Sequence, residues 1–231
     1  MSEELHRVLR RVESTVTRTY GEVLWSCAVF FLSRVRFRRQ IGMKQSFYDM
    51  VEANPVIAAI KDEDGLQKVC TIPEIRVVFV LYGDICSIDT IVKVLHEAGK
   101  CVIVHVDLVN GLAPKEIAVD FIRKQTKADG IISTKPALIR RAKELSMFTV
   151  MRFFILDSMA LDSIEKQLSG VRPDFLEILP GIMPRVTKEA CTRFRVHVIA
   201  GGLISSRQDI IDALNAGAMA VSSTNQAVWR L

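Results

Sequence analysis

The chain has 231 residues, 49% of them hydrophobic and 25% charged, which suffices for a sizeable core in one large domain or two small ones. Its five cysteines (Cys27, Cys70, Cys86, Cys101, Cys191) are odd in number, scattered and without C-x-x-C spacing, which excludes a disulfide framework and a zinc knuckle and fits a reducing, cytoplasmic setting. The formal net charge of +5 argues little for nucleic acid, because eight arginines against four glutamates in residues 1–42 carry four of those charges.

Residues 1–42 differ from everything after them. Val23 to Leu32 is apolar for only ten residues and is followed by Arg34, Arg36, Arg38 and Arg39, whereas a spanning helix needs ~20 apolar residues. Glu3, Glu4 and Glu13 spoil the basic start of a signal peptide, and no small-residue cleavage site follows. The expectation is a poorly ordered extension upstream of a natural start at Met43, with an interfacial amphipathic anchor as the other reading.

From Met43 on, short apolar runs alternate with helical patterns, the signature of βα units around a parallel sheet. The expected strands are Val56 to Ile60, Val77 to Tyr82, Cys101 to Leu108, Gly130 to Ser133, Phe148 to Ile155, Phe175 to Leu179, Val196 to Ala200 and Met219 to Ser222. Between them lie helical stretches near Asp64 to Val69, Ile88 to Ala98, Lys115 to Lys127, Pro136 to Leu145, Ser158 to Leu168, Met183 to Thr192 and Ser206 to Ala216, with Asn225 to Leu231 as a closing piece. Asp157 and Ser205 are expected helix caps, Pro136 a first-turn proline, and Gly99 and Gly217 left-handed helix ends. Eight consecutive units without a hairpin signal predict an α/β fold of (β/α)8 TIM-barrel type over residues 43–231; an open doubly wound sheet is the alternative.

The strand ends carry the chemistry. Ala200-Gly201-Gly202-Leu203 and Val221-Ser222-Ser223-Thr224 put bare backbone and hydroxyls at two neighbouring strand ends, where barrels often cradle a phosphate. Gly201, Gly202, Ser222 and Ser223 are therefore candidate phosphate-binding residues, although a glycine pair also serves as ordinary turn chemistry. Alternation places His105 and Asp107 on one face of the third strand, and Arg152 and Glu177 interrupt apolar strands five and six, where they would meet inside the mouth. Asp107, Arg152 and Glu177 would ring a pocket for a small hydroxylated ligand; a purely internal Arg152–Glu177 pair is the plainer reading. Lys135, His105, Asp157 and Gly181 are secondary pocket candidates: a loop lysine, a buried hydrogen-bonded histidine, a helix cap and a turn glycine in their bland readings. His96 and His197 have no evident partner, and no metal-ligand spacing is present.

Taken together, His105-Val106-Asp107-Leu108-Val109-Asn110-Gly111-Leu112, Gly130-Ile131-Ile132-Ser133-Thr134-Lys135, Arg152-Phe153-Phe154-Ile155-Leu156-Asp157-Ser158, Glu177-Ile178-Leu179-Pro180-Gly181 and Ala200-Gly201-Gly202-Leu203-Ile204 resemble the glycerol-3-phosphate responsive antiterminator family, from about Met43 to the C-terminus. The resemblance implies a barrel that senses glycerol 3-phosphate and acts on the leader mRNA of glycerol-uptake genes so that transcription passes a terminator. It names the ligand: phosphate at Gly201, Gly202, Ser222 and Ser223, hydroxyls near Asp107, Arg152 and Glu177, with no cofactor, catalytic residue or membrane partner and with homo-oligomerisation open. Candidate basic clusters for RNA are Arg123, Lys124 and Lys127; Lys135, Arg140, Arg141 and Lys143; and Arg185, Lys188, Arg193 and Arg195, each equally an ordinary solvated helix face. The alternative is a barrel enzyme (lyase, isomerase or transferase) on a small phosphorylated substrate, with Asp107 or Glu177 as general base, since the fold hosts both.

Overall fold

Runs of β-branched and aromatic residues, apolar on both faces, are what a parallel strand covered on each side requires. The structure, a computed structural model, describes residues 47–230; the expectations for residues 1–42 lie outside them. A helical segment at residues 47–53 precedes eight strands: β1 (Val56–Ile60), β2 (Val77–Val80), β3 (Cys101–His105), β4 (Gly130–Ser133), β5 (Phe148–Phe154), β6 (Phe175–Leu179), β7 (His197–Gly201) and β8 (Ala220–Ser223). All are parallel and each pairs with the next, and β8 returns to β1 with Val56 opposite Val221 and Ala58 opposite Ser223. That pairing closes the (β/α)8 barrel and rules out the open sheet.

The connecting helices are α1 (Glu63–Cys70), α2 (Ile88–Glu97), α3 (Glu116–Phe121), α4 (Pro136–Glu144), α5 (Ser158–Gly170), α6 (Pro184–Arg193) and α7 (Arg207–Asn215). Asp157 caps α5 by accepting from the Ala160 amide, Pro136 opens α4, and Gly99 and Gly217 have φ of 73° and 102°, as expected. Three expectations are corrected. The third strand stops at His105 and Val106–Leu108 forms a 3₁₀ turn, so simple alternation does not reach Asp107. Ser206, not Ser205, caps α7, because Ser206 and Asp209 exchange the two bonds of a capping box. The stretch from Lys115 does not continue as one α-helix; α3 passes into a π turn at Ile122–Thr126 before Lys127 turns left-handed.

Two apolar cores result. Alternate residues such as Ile57, Phe79, Ile103, Val150, Phe175 and Ile199 fill the barrel, and Phe47 and Val51 plug its N-terminal end, with the Phe47 ring stacked 4.0 Å from Phe148. The opposite strand faces pack against the helices. With the interior filled by hydrocarbon, polar chemistry is left to the C-terminal ends of the strands. Among the described residues no helix is long and apolar enough to cross a membrane.

Candidate functional site

At the C-terminal mouth, register brings Arg152 of β5 opposite Glu177 of β6, as the sequence led one to expect. Arg152 Nε donates to Glu177 Oε2 at 2.6 Å, and Ser222 Oγ donates to Glu177 Oε1 at 2.6 Å. Their side chains are 8% and 1% exposed, so the two charges compensate each other where water cannot. Gly201 makes room for this cluster: a Cβ there would lie 2.6 Å from Ser222 Oγ and 2.7 Å from Glu177 Oε1. No protein acceptor among the described residues takes the terminal guanidinium nitrogens of Arg152, and Arg152 lines the adjoining cavity.

That cavity measures about 420 Å³ and is bounded by Arg152, Glu177, Ser222, Ser223 and the loop after β7. Gly202 and Leu203 both have positive φ, 74° and 62°, which turns the chain sharply after the strand; glycine adopts this freely, leucine against a steric cost. Among the described residues no acceptor takes the amides of Leu203, Ile204 or Thr224. Ser223 fixes the two loops to each other, its hydroxyl donating to the Ile204 carbonyl at 2.7 Å and accepting from the Asn225 amide at 3.0 Å. Of the four phosphate candidates, Gly202, Ser222 and Ser223 border the cavity, whereas Gly201 packs behind it. Thr224 and Asn225 also border it; Thr224 closes the hydroxyl run noted in the sequence but was not singled out, and Asn225, a loop residue without a glycine or a strand pattern, gave no signal.

Across the mouth, Asp107 is a saturated acceptor. It takes the Thr134 amide at 2.8 Å, the hydroxyls of Thr134 and Ser133 at 3.0 Å each, and the Lys135 ammonium at 3.4 Å. Burial pushes its pKa up, but the Thr134 amide and those two hydroxyls together carry it below the ordinary carboxylate value. Asp107 thus positions the β4–α4 loop and Lys135. His105 is buried, and among the described residues its Nδ1 has no hydrogen-bond partner, contrary to the hydrogen-bonded histidine expected from sequence. Burial first, and then the Arg152 charge, lower its pKa to about 4, so the ring is neutral.

Asp107, His105 and Lys135 do not line the cavity, and neither do the remaining candidates. Gly181 is buried against the β7 backbone and donates its amide to the carbonyls of Gly201 and Gly202, which holds the cradle loop in place. Asp157 serves its helix. His96 pairs with Asp129 at 3.0 Å and His197 packs edge-on against Tyr48. Among the described residues no group of three His, Cys, Asp or Glu side chains converges on a metal position. Of the basic clusters, Arg141, Lys143 and Arg193 are engaged with carboxylates.

With this geometry in view, the comparison with known proteins is specific. A family model described as glycerol-3-phosphate responsive antiterminator matches residues 56–229, from the first residue of β1 to Trp229. The chain belongs to the glycerol-3-phosphate responsive antiterminator family. Within reach of this antiterminator barrel in sequence is the uncharacterized protein YgcP of Escherichia coli (strain K12), 43% identical over 182 residues, covering 79% of this chain and 95% of that one. Two crystal structures are similar: the glycerol uptake operon antiterminator regulatory protein from Listeria monocytogenes (32% identity, TM-score 0.74, 77% and 95% of the two chains) and a glycerol uptake operon antiterminator-related protein from Thermotoga maritima (35%, 0.67, 76% and 98%). The antiterminator match spans every strand that contributes to the cavity.

Proposed function

We propose that the protein senses glycerol 3-phosphate at the C-terminal mouth of its barrel and, when occupied, binds the leader mRNA of glycerol-uptake genes and promotes read-through of a terminator. The observation that carries the ligand reading is that three residues whose amides have no acceptor among the described residues (Leu203, Ile204, Thr224) and a buried arginine with free terminal nitrogens line one cavity of about 420 Å³. Amides at two loop starts suit a phosphate, and Arg152 with the Glu177–Ser222 pair suits hydroxyls beside it. Family membership supports glycerol 3-phosphate as the ester and a leader RNA as the partner.

Sensing without turnover is the reading we favour over an enzyme. Both candidate bases are committed: Asp107 to the donors of one loop, Glu177 to Arg152 and Ser222. A neutral His105 with a pKa near 4 is a poor proton acceptor. Occupancy would act on RNA binding only through its different affinity for the two states of the protein. The test is a calorimetric titration with glycerol 3-phosphate, followed by filter retention of the host's glycerol-operon leader transcript with and without it. Saturable binding, an unchanged ligand and ligand-dependent retention are the expected results. Chemical conversion of the ester would favour the enzyme, and retention indifferent to it would remove the sensor.

A further inference from the structure

Six free cations lie at the end of the barrel opposite the cavity. Because all strands are parallel, every loop that enters a strand lies at one end of the barrel. Arg76 precedes β2, Lys127 precedes β4, Arg172 precedes β6 and Arg195 precedes β7, while Arg123 and Lys124 sit in the π turn that runs into Lys127. All six are exposed, and among the described residues none forms an ion pair. The carboxylates beside them are turned inward: Asp129 accepts the Val102 amide and meets His96, and Asp174 accepts the amide and hydroxyl of Thr149. The exposed acids of this end are Asp49, Glu52, Glu74, Glu97 and Glu144, with Glu97 and Glu144 set beside Lys93 and Arg141, and they fall on the helical segment 47–53, the loop before β2 and the helix ends before β3 and β5 rather than on the β4, β6 and β7 loops. Near the middle of this face Tyr48 and His197 pack edge to face at 5.2 Å, with His197 exposed.

The C-terminal rim is richer in acids: Asp62, Glu63, Asp64, Asp84, Asp89, Glu116, Asp157 and Asp209 stand in its loops and first helical turns, against Lys61, Lys115, Lys135, Arg185 and Arg207. Phosphate chains are attracted to unpaired Lys and Arg and repelled by such a rim, and a base stacks on an aromatic face set among cations.

We infer that the N-terminal end of the barrel, with Arg172, Arg195, Lys127 and the Tyr48–His197 pair at its centre, is the RNA-docking surface, so that ligand and RNA occupy opposite ends of the molecule. This rests on the RNA-binding reading above, and the experiment separates the two. Filter retention of the host leader transcript is measured against salt for the unchanged protein, for Arg172→Glu/Arg195→Glu, and for Lys61→Glu/Lys115→Glu on the other end, with 4-thiouridine crosslinking of the unchanged protein to locate the contact. The expected result is a loss of at least about tenfold and a flatter salt dependence, by about one unit of slope per contact removed, for the first variant only, with crosslinks to peptides containing Tyr48 or His197. Calorimetric binding of glycerol 3-phosphate stays unchanged in both variants, which shows that they fold. Retention equal to that of the unchanged protein, or crosslinks on the C-terminal rim, overturns the assignment while RNA binding stands. No retention by the unchanged protein, with or without ester, overturns both.

Discussion

Arg152 and Glu177 face each other across the β5–β6 seam, Nε to Oε2 at 2.6 Å, with Ser222 holding the second carboxylate oxygen. Removing one member leaves the other charge buried and uncompensated, so Glu177→Leu is expected to lower stability by about 3–5 kcal/mol. Arg152→Met/Glu177→Leu removes both charges and is expected to regain most of that loss. Ligand affinity separates the structural role from the binding role: the double variant, which lacks Arg152, loses glycerol 3-phosphate binding if Arg152 faces the ester. Urea denaturation and calorimetry on the pair decide it. A stable double variant that still binds the ester would make the ion pair mere filling.

The adjacent glycines act by different means and separate in the same assays. A Cβ on Gly201 would press into Ser222 Oγ and Glu177 Oε1, so Gly201→Ala is expected to cost about 1–3 kcal/mol by overpacking and to disturb the polar cluster. Gly202 has φ of 74° and only Leu179 Cδ2, at 3.1 Å, in the way. Gly202→Ala therefore costs about 1 kcal/mol from backbone conformation, with its larger effect on ester affinity because the cradle turn must relax. Equal losses of stability in the two variants would contradict this division.

The fold was legible because period and punctuation agreed: Val56–Ile60, Gly130–Ser133 and Phe175–Leu179 were bounded correctly by apolar runs between turn residues, and Gly99 and Gly217 marked helix ends. The Arg152–Glu177 contact was legible too, since a charge inside an apolar strand demands a partner and the neighbouring strand offered one. What escaped depends on register and on side-chain reach, which no local pattern encodes. That Gly201, expected at the phosphate, also makes room for Ser222 shows only in the β7–β8 pairing, which reveals what stands opposite it. The bonds of Asp107 to Ser133 and Thr134, whose hydroxyls lie about 26 residues away in sequence, gave no signal either. The division of basic residues into paired and unpaired likewise needs distances between helices, as for Arg193 with Asp162 and Glu165.

His105 sets a pH dependence of stability. Its folded pKa of about 4 lies below the ordinary 6.5 because burial and Arg152 disfavour the charged ring. Above pH 6.5 the ring is neutral folded or unfolded and contributes nothing; between 6.5 and 4 the unfolded chain takes up a proton that the folded one refuses, so stability falls with acidity. The loss approaches about 3 kcal/mol at the low end of that window. Asp107, whose folded pKa is lowered, acts in the same direction but only as pH falls below its unfolded value of 3.8. Urea midpoints at pH 7, 6 and 5 should decline in the unchanged protein and stay flatter in His105→Gln. Parallel curves would mean that His105 is not the titrating group.

Trp229 offers a direct optical view of the cradle. Its indole N–H donates to the Ser223 carbonyl at 2.8 Å, and Ser223 in turn holds the Ile204 carbonyl, so the closing 3₁₀ turn Gln226–Arg230 is two hydrogen bonds from the loop that bears the unclaimed amides. An anion drawing on the amides of Ile204 and Thr224 would shift Ser223 and alter the environment of the buried indole. In a Trp25→Phe background, which removes the other tryptophan, glycerol 3-phosphate is expected to change Trp229 emission saturably, with the midpoint found by calorimetry. Trp229→Phe abolishes the signal and, by leaving a buried carbonyl without its donor, costs about 1–3 kcal/mol of stability. Binding seen by calorimetry with no change in emission would place the anion away from the β7 and β8 loop ends, and the phosphate cradle would have to be sought elsewhere on the mouth.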